Sequence, residues 1–520
     1  MSREDLFKQL QASPAFDVAV VGGGATGLGI ALDAALRGLR VVLLESHDFA
    51  KGSSSRATKL VHGGVRYLAQ GNISLVREAL HERAVLLRNA PHLAQPLPFV
   101  MPAYRWWESA FYGVGLKLYD LLAGHAGLGR TEFLNRQAVL KRLPQTQQQG
   151  LRGGVQYWDG QFDDARLAIA LARTAQKHGA LLINYCPVTA LKHENNRVAG
   201  LSCQDQETGR TFDVRANCVI NATGVWVDAL REMDGLAIDR PIQALVAPSQ
   251  GVHLVVDAEF LQSDHALLVP STADGRVLFA VPWLGKVILG TTDTPRHDLP
   301  REPLAFDSEI EFILKESARY LQRAPTRADV RSVWVGLRPL VKPQNNEGDN
   351  TKGLSREHTV LISRSGLVTV TGGKWTTYRA MAEDVLSRCQ QAQLIDSNLG
   401  ASTSDHCRLV GAPEADAPAV SITQSAGLHL YGSEQNQVMQ GEGANRWLTP
   451  ELNEAMVRFA AQYEYARTVE DVLARRSRLL FLDARQAMAV APQVAQVLKN
   501  ETLCDPKLEE FLQVASHYVL

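Results

Sequence analysis

The chain predicts an α/β dinucleotide-binding fold with an inserted antiparallel sheet and a helical C-terminal domain. Three observations carry this expectation. Near the N-terminus an apolar run at 18–21 meets Gly22, Gly24 and Gly27 in G-x-G-x-x-G spacing, with a helical stretch and a second apolar run at 41–44 behind it. Residues 240–300 change to short strand-like runs separated by turn pairs. After the Ser-, Ala-, Asp- and Pro-rich stretch 396–420, apolar residues fall at helical spacing.

The glycine turn has a mechanical logic. Gly22 permits the tight strand-to-helix turn, Gly24 lets a pyrophosphate approach the backbone, and Gly27 lets the helix pack against the strand. The helix N-terminus offers unpaired N–H groups to phosphate. Glu45, at the end of the second apolar run, is placed to accept hydrogen bonds from ribose hydroxyls. This fingerprint does not separate NAD from FAD.

The polar lead 1–15 is expected to include a short helix. The loop 52–55, holding Ser54 and Ser55, offers small donors suited to the far side of a pyrophosphate. Lys59, His62, Gly63, Gly64, Arg66 and Tyr67 then crowd together, an unusual density of cations beside paired glycines. Residues 74–89 have helical periodicity. So do residues 103–122, where Trp106, Trp107, Phe111 and Tyr112 lie among Arg105 and Lys117. Periodicity alone favours a core helix there over an interfacial helix dipping into a membrane. Residues 153–164 read as a strand entering a turn, followed by a helix to 178. Strands are expected at 181–185, 198–203 and 212–215, and another from 218 ends in Ala222-Thr223-Gly224, where a side chain at Gly224 would collide with a bound group.

In 240–300, Asp274-Gly275 and Leu284-Gly285 mark hairpin turns between short strands. A helix at 306–323 precedes a strand, 333–337, that delivers Arg338 at its end before Pro339. Strands at 360–363 and 367–371 lead into Gly372-Gly373-Lys374-Trp375-Thr376, a second helix start suited to an anion. In the tail, Thr449-Pro450 reads as an N-cap with Pro at the first helical position, and 468–471 as a capping box. The helical tail is expected to form a separate domain.

Composition excludes several classes. Against 54 Lys and Arg stand 55 Asp and Glu, a formal charge of −1, so no basic excess points to nucleic acid. The six cysteines form no C-x-x-C pair, which argues against a zinc site, a redox dithiol or a disulfide framework and fits a reducing compartment. The first residues lack a signal-peptide pattern, and no run of eighteen apolar residues occurs.

The motifs VVGGGATGLGIALDAALRG, SSSRATKLVHGGVRYL, QFDDARL, VINATGVW, GTTD, GLRPL and GGKWTTYR occur in order, followed by YARTVEDVLARRSRLLFLDA. With these the chain resembles the aerobic, FAD-containing glycerol-3-phosphate dehydrogenases over nearly its whole length. Val225 and Trp375 depart from that family's commonest wording, which has Pro and Leu there. The resemblance implies a glutathione-reductase-like FAD domain (16–90, 150–235 and 330–390), an antiparallel substrate domain (91–149 and 236–329), and a linker with a helical C-terminal domain (391–520). It implies FAD as cofactor, glycerol 3-phosphate as substrate, a membrane quinone as acceptor, and peripheral contact with the cytoplasmic face of a membrane, or a cytoplasmic location. A homodimer stays open. The cofactor contacts it implies, added to Gly22, Gly24, Gly27, Glu45, Ser54 and Ser55, are Gly63, Gly64, Val188, Gly224, Gly373 and Thr376. Arg66, Arg338 and Lys374 would hold the phosphate, since arginine presents a planar fork and lysine a point charge. His62 is the first choice for general base and His253 the second. Two other readings remain: an oxidase releasing hydrogen peroxide, and a non-catalytic flavin-binding module.

Overall fold

The structure is a computed structural model, and it describes residues 2–64, 72–237, 239, 242–272, 275–342, 358–414 and 419–520. The strand Phe16–Val21 runs parallel to Val41–Leu44 on one side and Thr211–Asn221 on the other. Strand order across this sheet is His358–Ile362, Val368–Gly372, Thr211–Asn221, Phe16–Val21, Val41–Leu44, Leu181–Ile183. Val18 and Val20 face a cluster shared with the helix Ala25–Leu36, whereas Ala19 and Val21 face Leu6, Phe7 and Leu10 of the first helix, Arg3–Ala12. Burial on both faces is why these strands read as unbroken apolar runs. The strands expected at 212–215 and from 218 are one long strand, and Val188 opens a strand the sequence reading lacked, Val188–Glu194.

Among the described residues, ten strands form the second sheet. Its longest pairings are antiparallel: Val246–Asp257 with Ser332–Val341, and Ala94–Ala103 with Gly153–Phe162. Ala266–Val269 joins Ala94–Ala103 in parallel. Strands Leu60–Val61, Gly153–Phe162 and Ser332–Val341 belong to this sheet, although they fall in segments the sequence reading gave to the cofactor domain. Leu284 and Gly285 take φ of 47° and 78°, the pair of left-handed residues a two-residue hairpin needs. Of the other expected turn, Asp274 lies outside the described residues.

Arg338 is not at a strand end. Ser332–Val341 continues through it, with Arg338 opposite Ser249 and Pro339 opposite Pro248. The two prolines face each other across the ladder, where neither has an N–H to give, so the strand passes a residue that locally signals a break.

The tail is a helical C-terminal domain packed tightly on the rest of the chain. Its helices, among them Glu454–Tyr463 and Ala484–Thr502, share one apolar cluster with Ala25–Leu36 and Asp164–Lys177. Buried ion pairs cross the same boundary. Asp164 accepts from Lys59 Nζ at 2.7 Å and from Arg478 Nη2 at 3.0 Å. Asp48 pairs with Arg475 and Arg476, and Arg166 with Glu464 at 2.7 Å. A π-helical turn, Asp471–Arg476, presents the two consecutive arginines to Asp48. Thr449-Pro450 is the turn of a small ribbon, Trp447–Thr449 with Leu452–Asn453, and Asn453 caps the helix that follows. The capping box is present, with Thr468 N–H donating to Asp471 at 2.9 Å and Asp471 N–H to Thr468 at 3.2 Å. The stretch expected as a linker is pinned: Ser402 donates to Asp33, and Ser404 is buried against Asn89.

The helix Glu108–Ala123 reverses the core reading of 103–122. Only Gly113, Leu116, Tyr119 and Ala123 are buried. Trp106 is 82% exposed, Phe111 67% and Leu121 76%, with Val114 and Leu118 also outward. Helical spacing establishes that one face is apolar, but not that the face is covered. Among the described residues, no helix is long and apolar enough to cross a membrane.

Candidate active site

Between the two sheets lies a cavity of about 1740 Å³, well beyond the few hundred to a thousand Å³ of an ordinary small-ligand site. Its first end is the glycine turn. Gly22 has φ 109°, and a Cβ there would stand 2.6 Å from the Ala222 carbonyl oxygen. A Cβ on Gly27 would reach 1.9 Å from the Gly22 carbonyl oxygen, so only glycine fits helix against strand. Gly27 does not line the cavity; Gly22 and Gly24 do. Glu45 lines it too, with its carboxylate held by the N–H of Gly23 at 2.6 Å and of His47 at 2.8 Å.

The serine loop divides. Ser54 Oγ accepts the Ala25 N–H at 2.9 Å, and Ser53 donates to the Leu337 carbonyl, tying this loop to the second sheet. Ser55 turns away: it is buried behind the wall and its hydroxyl donates to the Ala50 carbonyl at 2.6 Å. The expected cofactor contact at Ser55 is therefore not at the cavity surface, and Ser53, in the same expected loop, is.

The other expected residues divide likewise. His62, Gly64, Val188, Gly224, Gly373, Lys374, Thr376 and Arg338 all line the same cavity. Gly63 does not; its N–H donates to Asp159 at 3.2 Å and a Cβ on it would collide with Tyr119 and Leu80. Gly224 has φ 64° and nothing within 4 Å of a built Cβ. The expected collision is thus not with protein: the residue must be left-handed, and a side chain would project into open cavity. Gly373, at φ 71°, sits where a Cβ would approach Met381 Sδ to 2.4 Å. Trp375 donates from its indole to the Ser54 carbonyl at 2.8 Å, locking the second helix start to the serine loop.

Arg338 lies across Gly251, where a Cβ would stand 2.4 Å from Nη2. Its guanidinium donates to the Thr292 carbonyl at 3.0 Å, Thr291 Oγ1 at 3.2 Å, and the Gln250 carbonyl and Asp293 Oδ1, each at 3.3 Å. These bonds fix the plane of the fork. Arg66 and Tyr67 lie outside the described residues.

The two candidate bases differ. His62 is half-buried at the cavity wall. His253 also borders the cavity but is 2% exposed, stacked on Trp334 at 4.1 Å, with Nε2 at 2.9 Å from Thr58 Oγ1. Burial holds its imidazole well below the usual range, and the nearby Arg338 and Lys59 push the same way. Lys59, expected with the cationic cluster, is fully buried under Trp334 at 4.6 Å and bonded to Asp164, away from the cavity. Burial brings its ammonium down to about 7 against the opposing pull of Asp164.

Several lining residues were not anticipated: His47, Lys51, Arg56, Trp226 and Arg301. Burial lowers His47 to about 4, with Lys51 and Arg301 adding to the shift. Trp226 stood in the quoted VINATGVW motif. Arg301 carries no local sequence signal.

A glycine turn without room for side chains, a helix N-terminus, an acid at the ribose position and a left-handed Gly224 opening onto empty space suit an extended dinucleotide. With Arg338, Lys374 and His62 lining the same cavity, they define a dinucleotide-dependent oxidoreductase. Residues 17–379 match the family model for FAD dependent oxidoreductases, and residues 402–507 that for the C-terminal domain of alpha-glycerophosphate oxidase. Mitochondrial glycerol-3-phosphate dehydrogenase of Bos taurus is 41% identical over 554 residues, covering 100% of this chain and 75% of that protein. The Schizosaccharomyces pombe protein of the same name is 36% identical over 578 residues, covering 100% and 89%. The solved structure of glycerol-3-phosphate dehydrogenase from Bacillus halodurans, complexed with FAD, is similar with a TM-score of 0.78 at 27% identity, over 100% of this chain and 98% of that one. The chain belongs to the FAD-dependent glycerol-3-phosphate dehydrogenase family, and its cofactor is FAD.

Proposed function

We propose that this chain oxidises glycerol 3-phosphate to dihydroxyacetone phosphate and passes the electrons to a membrane quinone. One observation carries the substrate reading: Arg338 and Lys374, cations from different sheets, line the same cavity as the dinucleotide-binding glycines. Bound FAD would supply the acceptor for the hydride leaving C2 of the substrate. Gly22, Gly24, Glu45, Ser53 and Ser54 would hold its adenosine diphosphate half; Gly64, Gly224, Gly373 and Thr376 would lie along the rest.

The protein's part is to place and neutralise the substrate. Arg338 meets the phosphate with a fork already fixed by Thr292, Thr291 and Gln250, so little orientation is lost on binding. Lys374 adds a point charge, and Arg66 is assigned to the same phosphate from its place in HGGVRYL. His62 takes the hydroxyl proton. It serves better than His253, whose imidazole is committed to Thr58 and Trp334 and is held too weakly basic by burial.

For the acceptor, the support is the helix Glu108–Ala123. Its exposed apolar residues Phe111, Val114 and Leu118 also border the cavity, together with Ala110 and Gly115. An interfacial helix that also forms the cavity wall would bring a lipid-dissolved acceptor near the reduced cofactor. The oxidase reading keeps one observation in its favour, the match of residues 402–507 to an oxidase C-terminal domain. Anaerobic bleaching of the yellow protein by glycerol 3-phosphate tests the half-reaction, and its absence would refute it. Stoichiometric peroxide in air, with no quinone reduction, would replace quinone by oxygen.

A further inference from the structure

The segment that leaves the second sheet after Thr294–Pro295 crosses back over the cofactor loop before the helix Asp307–Tyr320 begins. It is pinned at Leu299, Arg301 and Glu302. Trp226 donates from its indole to the Leu299 carbonyl at 3.1 Å, and Arg56 donates to the Arg301 carbonyl at 3.3 Å. The Glu302 carboxylate receives Arg56 at 2.7 Å and the Tyr518 hydroxyl at 3.3 Å, with Lys51 Nζ at 3.6 Å. The strap is thus fastened to the cofactor loop and to the C-terminal helices together.

Arg301 is the cation this strap carries to the cavity wall. Its neighbours have carboxylate partners: Lys51 has Glu470, Arg56 has Glu302, and Arg475 and Arg476 have Asp48. Among the described residues, no acceptor lies within hydrogen-bond distance of the Arg301 guanidinium. It rests on the Trp226 ring instead, with Cζ at 3.9 Å from the centroid. Its surroundings are those of the dinucleotide turn: Trp226 lies against Gly52, and Glu45 is the anion that opposes the downward pull of burial on Arg301. An exposed guanidinium laid on an aromatic ring at the cavity wall, with its donors unused by protein, suits an anionic ligand.

We propose that Arg301 is a cofactor-binding residue that closes on the adenosine diphosphate half of FAD, held over it by the Glu302 latch. The proposal rests on reading the Gly22–Glu45 end of the cavity as the place of that half.

Titration of the deflavinated protein with FAD, ADP and flavin mononucleotide tests it. Arg301→Ala weakens FAD and ADP by the same factor, about tenfold to a hundredfold for one charge-assisted bond, and leaves flavin mononucleotide unchanged. Arg301→Lys, which keeps the charge without the plane, recovers part of the loss. With FAD saturating, the KM for glycerol 3-phosphate stays at the wild-type value. Wild-type affinity of Arg301→Ala for FAD and ADP overturns the proposal, and so does an equal loss for flavin mononucleotide, which would mean general damage. Should Arg301→Ala fail to fold by thermal melting, Arg301→Gln is judged by the same outcomes. Glu45→Gln separates the two layers: if it too leaves FAD and ADP affinity unchanged, the reading of that cavity end fails; if it weakens both while Arg301→Ala does not, only Arg301 is refuted.

Discussion

Replacing Arg338 by Ala removes the fork assigned to the substrate phosphate. The structure bounds the effect from two sides. On the folding side, Asp293 loses a partner at 3.3 Å but keeps the Ser249 hydroxyl, and the Arg338 side chain is already 27% exposed, so the fold tolerates the change. On the binding side, a charge-assisted hydrogen bond contributes about 1.5–3 kcal/mol, and about 1.4 kcal/mol is a tenfold change. One such bond therefore predicts a fall in kcat/KM of roughly 10- to 150-fold. The assay is the anaerobic rate of flavin bleaching against glycerol 3-phosphate concentration, with bound FAD measured by absorbance. Glycerol, which lacks the phosphate, serves as reference: wild type and variant should oxidise it equally slowly. Unchanged kcat/KM for the phosphorylated substrate refutes the assignment, and an equal loss with glycerol refutes the phosphate argument in particular.

For His62→Gln, slow flavin reduction under anaerobic stopped flow is expected with FAD still bound; a wild-type rate would remove His62 as the base. Trp106→Ser combined with Phe111→Ser should lower co-sedimentation with anionic liposomes, and equal binding of variant and wild type would sink the interfacial role of that helix. His47 gives a pH prediction. Its imidazole titrates near 4 in the folded protein against an ordinary value of 6.5, so below pH 6.5 the unfolded chain takes up a proton that the folded chain refuses. Stability is then lost as pH falls from 6.5 towards 4, by up to about 3 kcal/mol at about 1.36 kcal/mol per unit. Urea melts of His47→Gln should show a shallower loss over that window; the same loss as wild type would place the acid sensitivity elsewhere, with His92, lowered to about 3, the next group to test.

What could be read from the sequence was what local sterics decide. Gly27 could be assigned because a helix packed on a strand leaves no room for Cβ, and the contact is five residues away at Gly22. Arg338 was legible as a cation near Gly and Pro, but not as a mid-strand residue, because Pro339 signals a break unless its partner across the ladder is also proline. The helix Glu108–Ala123 showed its apolar face and not which way that face points, since periodicity carries no information about what covers it. Ser55 and Lys59 looked like Ser54 and His62 in composition; only the path of the loop sends the first pair into the core. Arg301 gave no signal at all, because its relation to Glu45 is made by a strap from another sheet.

The buried bonds between cofactor loop and tail also set an order of assembly. Arg478 donates to the Ser55 carbonyl across 423 positions of sequence. At about 5–20 residues per second, the ribosome adds that intervening chain in roughly 20–85 seconds. Throughout that time Asp48 lacks Arg475 and Arg476, and Asp164, once made, lacks Arg478. The cofactor loop is therefore fastened to the tail only when synthesis is nearly complete.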